Sequence, residues 1–471
     1  MTRNLSFPVA ALLALLVAAP ADAANRFTIR GAGFGHGVGM SQYGAYGFAL
    51  HGFGYAQILG HYYTDTALSR LNESREVRVL LSSPSGTASF SGATRGAGRT
   101  LSARKTYRVR SRAGGRVELL SAAGKSLATV AAPLRVTGSS PLRVPGVGSY
   151  RGALEFRPGT FGGVNVINAI DVDDYVKGVI PLEVPASWPA EALKAQAVAA
   201  RTYGLTSSRG GTGWDLYTDT RSQVYGGASA EQASTNAAVD ATAGELVTYQ
   251  GEPVITYFFS TSGGRTEDVE NTSLGTEPLP WLKSVKDKYD SVSPRHRWGP
   301  IRMGRATAGA KLSGLVKGRF RGIKVVERGR SPRIVAANIV GTGGRTRVDG
   351  ATIRARLGLY DTWAHFTSIR TGKAPKPQEP AGPPTPTNPE TGGATPGASA
   401  AGVRPVGGLR GSVMPARRGA RITLQRRAEG RWVTIGHTRA GAGGRYEAAV
   451  AVAGTYRVRY RGDAGPAVRI G

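Results

Sequence analysis

Apolar and polar positions along this chain repeat at two periods, and the changes of period divide it into regions. Residues 26–30 alternate as a short strand, and a glycine-rich loop follows over 31–39. Residues 41–63 read mostly as helix, with Tyr46, Leu50, Phe53, Ile58 and Tyr62 on an apolar side interrupted at His51-Gly52. From 75 to 166 the pattern becomes short alternating strands punctuated by Gly, Ser and Pro. Val77-Arg78-Val79-Leu80-Leu81 and Tyr107-Arg108-Val109-Arg110 are examples. A last strand within 163–171 runs into a helical segment over 172–179. The strongest helix is predicted over 190–206, where Pro189 suits a first turn and Leu193, Ala197, Ala200 and Tyr203 share a face. A further helix is expected over 230–243, then two strands within 245–259 around Gln250-Gly251.

The pattern predicts an α+β fold with three compositional breaks. Residues 1–23 combine a basic start (Arg3), an apolar run of about 13 residues and the small-x-small sequence Ala21-Asp22-Ala23, which reads as a cleaved export signal. That run is too short to span a bilayer, which needs roughly 20 residues, and no later stretch is long enough. The main domain is therefore expected over 24–370, with a β-rich insertion at about 75–166. Residues 371–402 are rich in Pro, Thr and Gly and read as an extended linker. Beyond it, 403–471 reads as a small all-β sandwich that serves as a spacer or wall-binding module.

Composition sharpens this picture at two points. With no cysteine, disulfides and thiolate metal sites are excluded, so an exported chain must rely on its core. The formal net charge of +30, carried mainly by arginine, attracts polyanions. Outside the cytoplasm these are anionic wall polymers, peptidoglycan carboxylates and lipid headgroups. Export argues against nucleic acid, and no segment reads as a recognition helix. Gly124-Lys125-Ser126 ends like a phosphate-binding loop, but Leu119 stands where its first glycine is needed.

Candidate chemistry centres on Glu183, in Ile180-Pro181-Leu182-Glu183-Val184-Pro185 shortly before Trp188. A carboxyl among such neighbours is costly to ionise, so its pKa should rise, as a general acid at a glycosidic oxygen requires. A surface glutamate beside a helix start fits the same residues. The decisive signal is resemblance. Residues 178–203 read GVIPLEVPASWPAEALKAQAVAARTY, 258–267 read FFSTSGGRTE, 219–225 read DTRSQVY, 35–45 read GHGVGMSQYGA and 58–66 read ILGHYYTDT. Together, over about residues 26–366, these resemble the SpoIID/LytB family.

The resemblance implies either a lytic transglycosylase acting on peptidoglycan glycan strands or a non-catalytic enhancer of a cell-wall amidase. It maps the catalytic acid onto Glu183, which would protonate the leaving oxygen and then take the proton of the muramic acid C6 hydroxyl as it attacks C1. A hydrolase would need a second carboxylate; Asp219, Glu267 and Asp268 are candidates that no spacing separates. Weaker substrate-binding assignments fall on His36, Gln42, Gln196, Arg201, Ser260, Ser262 and Thr266. Arg201 either binds a muramic acid carboxylate or pairs with a local acid. The 260–264 stretch is either a sugar-binding loop or a structural turn, and His36 serves a site or stabilises its loop. Trp188, Trp281 and Trp298 stack on sugars or fill core. Two departures stand out. The GHGVGMSQYGA block usually closes the family's domain but here opens it, which reads as a circular permutation. Arg221 and Ser222, in a chain with no cysteine, also stand where some relatives carry a His/Cys metal cluster, so neither a metal nor a cofactor is expected.

Overall fold

The computed structural model describes residues 25–159, 162–207, 210–374 and 406–471. The expected export signal (1–23) and most of the expected linker lie outside the described residues.

The chain is a mixture of helices and predominantly antiparallel strands. Its organising element is the helix Ala190–Thr206, which Pro189 precedes as an N-cap of extended backbone rather than as a first-turn residue. The helix runs between two cores, which explains its alanine content. Leu193, Ala197 and Ala200 face one core, and Ala195, Val198 and Ala199 face the other. Small side chains allow a backbone to be approached from both sides without voids.

The first core belongs to the β-rich region. Strands Glu76–Ser82, Val164–Asp171, Ala153–Pro158 and Leu134–Thr137 pair antiparallel in that order, with Leu80 opposite Ile167 and Val166 opposite Phe156. Alternation puts Val77, Val79 and Leu81 inward against a second sheet that includes Tyr107–Arg112 and Arg116–Ser121. Asp171 ends the strand and caps the helix Val172–Lys177 by accepting the Asp173 N–H at 2.8 Å. A four-residue helix, Ile180–Glu183, follows and ends on the glutamate.

The second core joins the N-terminal block to the middle of the chain. Helices Gln42–Leu50 and Tyr55–Tyr62 are separated at His51-Gly52, where Gly52 adopts φ +82°. Phe48, Ile58, Leu59 and Tyr62 pack against the long helix and against Val247 and Leu282. The 245–259 stretch forms the strand Glu245–Tyr249, which turns at Gln250-Gly251 and pairs antiparallel with Glu252–Pro253, and later the two residues Phe258–Phe259, which pair parallel with Met40–Ser41.

Between 298 and 373, where the periodicity analysis names no element, a third core forms around Phe27, Ile29, Ile323 and Ile353. Here the strand Asn25–Gly31 sits between Trp298–Gly304 and Ala364–Lys373. The latter strand also pairs along its other edge with Gly407–Met414. The residues beyond 406 therefore form one layer jointly with the main sheet. A second layer, Arg421–Ala428, Arg431–Arg439 and Gly454–Tyr460, covers it around Ile369, Val413 and Tyr456. Strand pairing thus extends three residues into the expected linker, over Thr371 to Lys373.

Candidate functional site

Glu183 is half-buried at the end of its short helix, between the β-rich region and the N-terminal block. Its carboxylate has two donors. The Val224 N–H, in the DTRSQVY loop, reaches Oε1 at 3.2 Å, and Gln42 Nε2, from the first turn of the helix Gln42–Leu50, reaches Oε2 at 3.5 Å. Burial raises the Glu183 pKa, and the two hydrogen bonds oppose that rise without cancelling it. Burial and these two hydrogen bonds are the main causes acting on it. The group is therefore held towards its protonated form, with lone pairs left for a reacting partner.

An aromatic group adjoins this carboxyl in sequence and in space. Trp188 stacks on Tyr46 with ring centroids 4.8 Å apart and meets Tyr43 edge-on at 5.1 Å. All three are half-buried, so they present ring surface as well as packing area. Tyr175 is fully buried, and its hydroxyl donates to Gln223 Oε1 at 3.1 Å. Trp298, by contrast, is buried and donates to the Gly33 carbonyl at 2.9 Å, and Trp281 donates to the Ile255 carbonyl at 3.1 Å.

Of the substrate-binding candidates, Gln42 alone touches Glu183. His36 is locked by backbone on both sides: its Nδ1 accepts from the Val38 N–H at 3.1 Å, so Nε2–H donates to the Phe258 carbonyl at 3.0 Å. Burial lowers its pKa to about 4, which keeps the ring neutral. Gln196 is buried with neither amide atom hydrogen-bonded. Arg201 pairs with the local acid: it meets Asp173 at 2.5 Å and donates to the carbonyls of Glu245 and Val239. Its guanidinium is fully buried and faces no cleft.

Within FFSTSGGRTE the backbone of Ser262 and Gly263 wraps Asp290, and none of the motif's serines or threonines is hydrogen-bonded to Glu183. Asp290 accepts from the Ser262 N–H (2.8 Å), the Gly263 N–H (2.9 Å), Ser41 Oγ (3.1 Å) and His296 Nδ1 (2.8 Å). Ser260 gives its carbonyl to the Tyr43 N–H at 3.0 Å, and Thr266 Oγ1 accepts from the Val285 N–H at 2.8 Å. The loop is therefore a structural turn that stitches the N-terminal block to the chain near Glu183. Neighbouring Asp287 is buried close to Tyr62, Ser41 and Ser262, yet neither of its oxygens makes a well-formed hydrogen bond. Burial first, and the charge of Asp290 second, push its pKa up to about 7.

The three candidates for a second carboxylate are engaged elsewhere. Asp219 is exposed and paired with Arg221 at 2.8 Å. Glu267 is fully buried and accepts from the N–H groups of Asp268, Arg330 and Ser331, from Asn271, and from the Ser331 hydroxyl. Asp268 accepts the Ser284 N–H at 2.7 Å. Among the described residues, no group of three or more His, Asp or Glu side chains is arranged to hold a metal ion.

The structure thus defines an α+β protein with one partly buried, hard-to-ionise carboxyl beside an aromatic shelf. Residues 160–249, which contain Glu183, the long helix and the Val224 loop, match the family described as "Stage II sporulation protein" (SpoIID). Over this region the chain is similar to the SpoIID/LytB family. It is 44% identical over 115 residues to the amidase enhancer of Bacillus subtilis, covering 24% of this chain and 15% of that one. It is 37% identical over 148 residues to stage II sporulation protein D of the same organism, covering 28% and 43%. An uncharacterised protein of Brachyspira hyodysenteriae is 42% identical over 125 residues, covering 26% and 34%. The chain therefore spans less than half the length of each of these relatives. No solved structure matches it.

Sequence reasoning singled out Glu183 and the three motifs around it. It missed the role of Val224, because a backbone donor carries no side-chain signal. It also missed Asp290 and Asp173, which meet Ser262 and Arg201, each 28 residues away in the chain. Tyr46 was legible only as part of a helix face, and Tyr43 only as a letter of GHGVGMSQYGA.

Proposed function

We propose that this protein acts in the cell wall as an exported peptidoglycan lytic transglycosylase with Glu183 as its single acid–base group. The observation that carries the reading is the state of Glu183: burial raises its pKa, and among the described residues its only donors are one backbone N–H and one amide at 3.5 Å. Glu183 gives its proton to the glycosidic oxygen as the bond to C1 of muramic acid breaks. The C6 hydroxyl of the same sugar attacks C1, and its proton passes to the Glu183 carboxylate, which restores the acid and leaves a 1,6-anhydro end. One carboxyl suffices for both transfers. A hydrolase would need a second at a defined separation, whereas Asp219, Glu267 and Asp268 are each committed to other partners. Trp188, Tyr43 and Tyr46 offer ring faces on which a sugar can stack.

The N-terminal block completes this site through Gln42, which supports a permuted order of the family's motifs in which the block folds back to its usual place. A second reading, a glycan-binding enhancer of a wall amidase, is favoured by the relative that bears that name. Incubation of the protein and its Glu183→Gln variant with peptide-free glycan strands, followed by mass spectrometry, separates the two. Anhydro-ended fragments from the unaltered protein alone support the transglycosylase. Reducing ends point to a hydrolase. Binding without products, together with stimulation of an amidase by both proteins, supports the enhancer.

A further inference from the structure

The strand Asn25–Gly31 separates charge from core by simple alternation. Phe27 and Ile29 are fully buried on one face, while Arg26, Thr28 and Arg30 share the other. Register sets Arg302 opposite Thr28 on the neighbouring strand and His365 opposite Arg30 on the other. The turn after Gly454–Tyr460 rests on this charged face. Arg26 donates to the Ala464 carbonyl at 3.1 Å, and Arg30 pairs with Asp463.

Two clefts open along this seam, and Asp463 borders both. One, of about 580 Å³, is lined by Arg26, Arg302, Arg457 and Arg459. The other, of about 590 Å³, is lined by Arg30, Arg328, Arg417 and Arg461. Asp463 is the one carboxylate in either lining, and Arg30 already engages it. Among the described residues, the other seven arginines have no ion-pair partner. The β-rich region shows the contrary arrangement: there Arg78, Arg110, Arg112, Arg135 and Arg157 are all matched to Glu76, Glu118 or Glu155. The crowding at the seam is also electrostatically visible. Burial, and then Arg459 and Arg26, lower the Arg457 pKa, while burial and Arg461 lower that of Arg328. A fold that holds like charges this close is relieved by an anion.

We propose that this seam between the main sheet and the C-terminal layer binds a linear polyanion whose repeating charges are phosphodiesters. All eight cations are arginines, whose planar fork suits a group with two equivalent oxygens. A phosphodiester offers such a pair and stays ionised at every pH the protein meets. Two adjoining clefts with seven uncompensated cations call for several charges in succession, which a polymer supplies and a single small ion does not. The seam lies apart from Glu183, and the inference does not rest on the cleavage reading.

The test measures binding of the whole protein to synthetic poly(glycerol phosphate) at several salt concentrations. Arg302, Arg417, Arg459 and Arg461 are exposed, so replacing all four by glutamine leaves the packing intact. The control replaces four other exposed arginines, Arg99, Arg104, Arg345 and Arg356, and so removes the same charge. The seam variant should bind at least about tenfold more weakly and with a shallower salt dependence, and the control within about twofold of the unaltered protein. Equal losses in both variants would reduce the effect to net charge and overturn the proposal. So would an unchanged seam variant, or tighter binding of poly-glutamate than of poly(glycerol phosphate) at equal charge. Glycan cleavage, assayed in parallel, should be the same in both variants, so its absence in all of them tells only against the cleavage reading.

Discussion

Glu183 and Glu267 are both withdrawn from solvent, but the fold treats them in opposite ways. Glu267 is fully buried and surrounded by five donors from four residues, three of them backbone N–H groups. Such a shell stabilises the anion and fixes a loop; it leaves no lone pair for chemistry. Glu183 is less buried yet has only two donors, one of them at the limit of a hydrogen bond. The two carboxyls therefore differ in the number of donors each has been given, more than in depth.

The comparison can be broken most directly at Glu183 itself. Glu183→Gln keeps the shape and removes the proton donor. Cleavage of glycan strands should fall by about 10²–10⁴-fold while the melting temperature holds or rises; an unfolded variant, or one with full activity, would contradict the assignment. The matching change at Glu267 should do the reverse. Glu267→Gln turns a shell of donors against an amide N–H₂ and should cost about 2–4 kcal/mol of stability by denaturant unfolding. Any loss of activity should follow unfolding alone.

A third carboxyl sits between these extremes. Asp287 is as buried as Glu267 but has no well-formed hydrogen bond, and its pKa is pushed up to about 7. Because the folded value lies above the ordinary 3.8, the folded state binds the proton more tightly. Its contribution to stability is complete below 3.8 and is lost as pH rises through about 7. Asp287→Asn should remove that slope, so the gap in melting temperature between variant and parent should widen from pH 4 to pH 7 and then stay constant. A gap independent of pH would show that Asp287 ionises normally. The smallest effect is expected at Gln42. Gln42→Leu deletes one of the two donors that lower the Glu183 pKa, so the acid should stay protonated to higher pH. The alkaline limb of the pH–rate profile should move upward by less than about one unit. Movement to lower pH would mean that Gln42 does not donate to the carboxylate.

Local patterns made the helices readable in advance, whereas Glu183 was singled out by resemblance. The spacing of Leu193, Ala197 and Ala200 is a property of one segment. The small residues of the same helix left open what lay on its other side, because alanine is equally at home against solvent and between two cores. Pairings across the chain were beyond reach for a different reason. Arg201 offered two equal alternatives until Asp173 stood beside it, and Ser262 suggested a sugar-binding hydroxyl until Asp290 claimed its backbone N–H. The expected linker was read from composition, which says nothing of strands meeting across it.

That last meeting has a practical consequence. The strand Ala364–Lys373 is gripped along one edge by Asn25–Gly31 and along the other by Gly407–Met414. The C-terminal layer is therefore moored by a ladder of backbone hydrogen bonds and by the packing of Ile369 beneath Tyr456 and Val413, independently of the peptide that joins it to the rest. A protease that cut between 375 and 405 would leave two polypeptides travelling as one particle. The layer behaves as a rivet through the sheet, and the seam beside it survives the loss of the covalent tether.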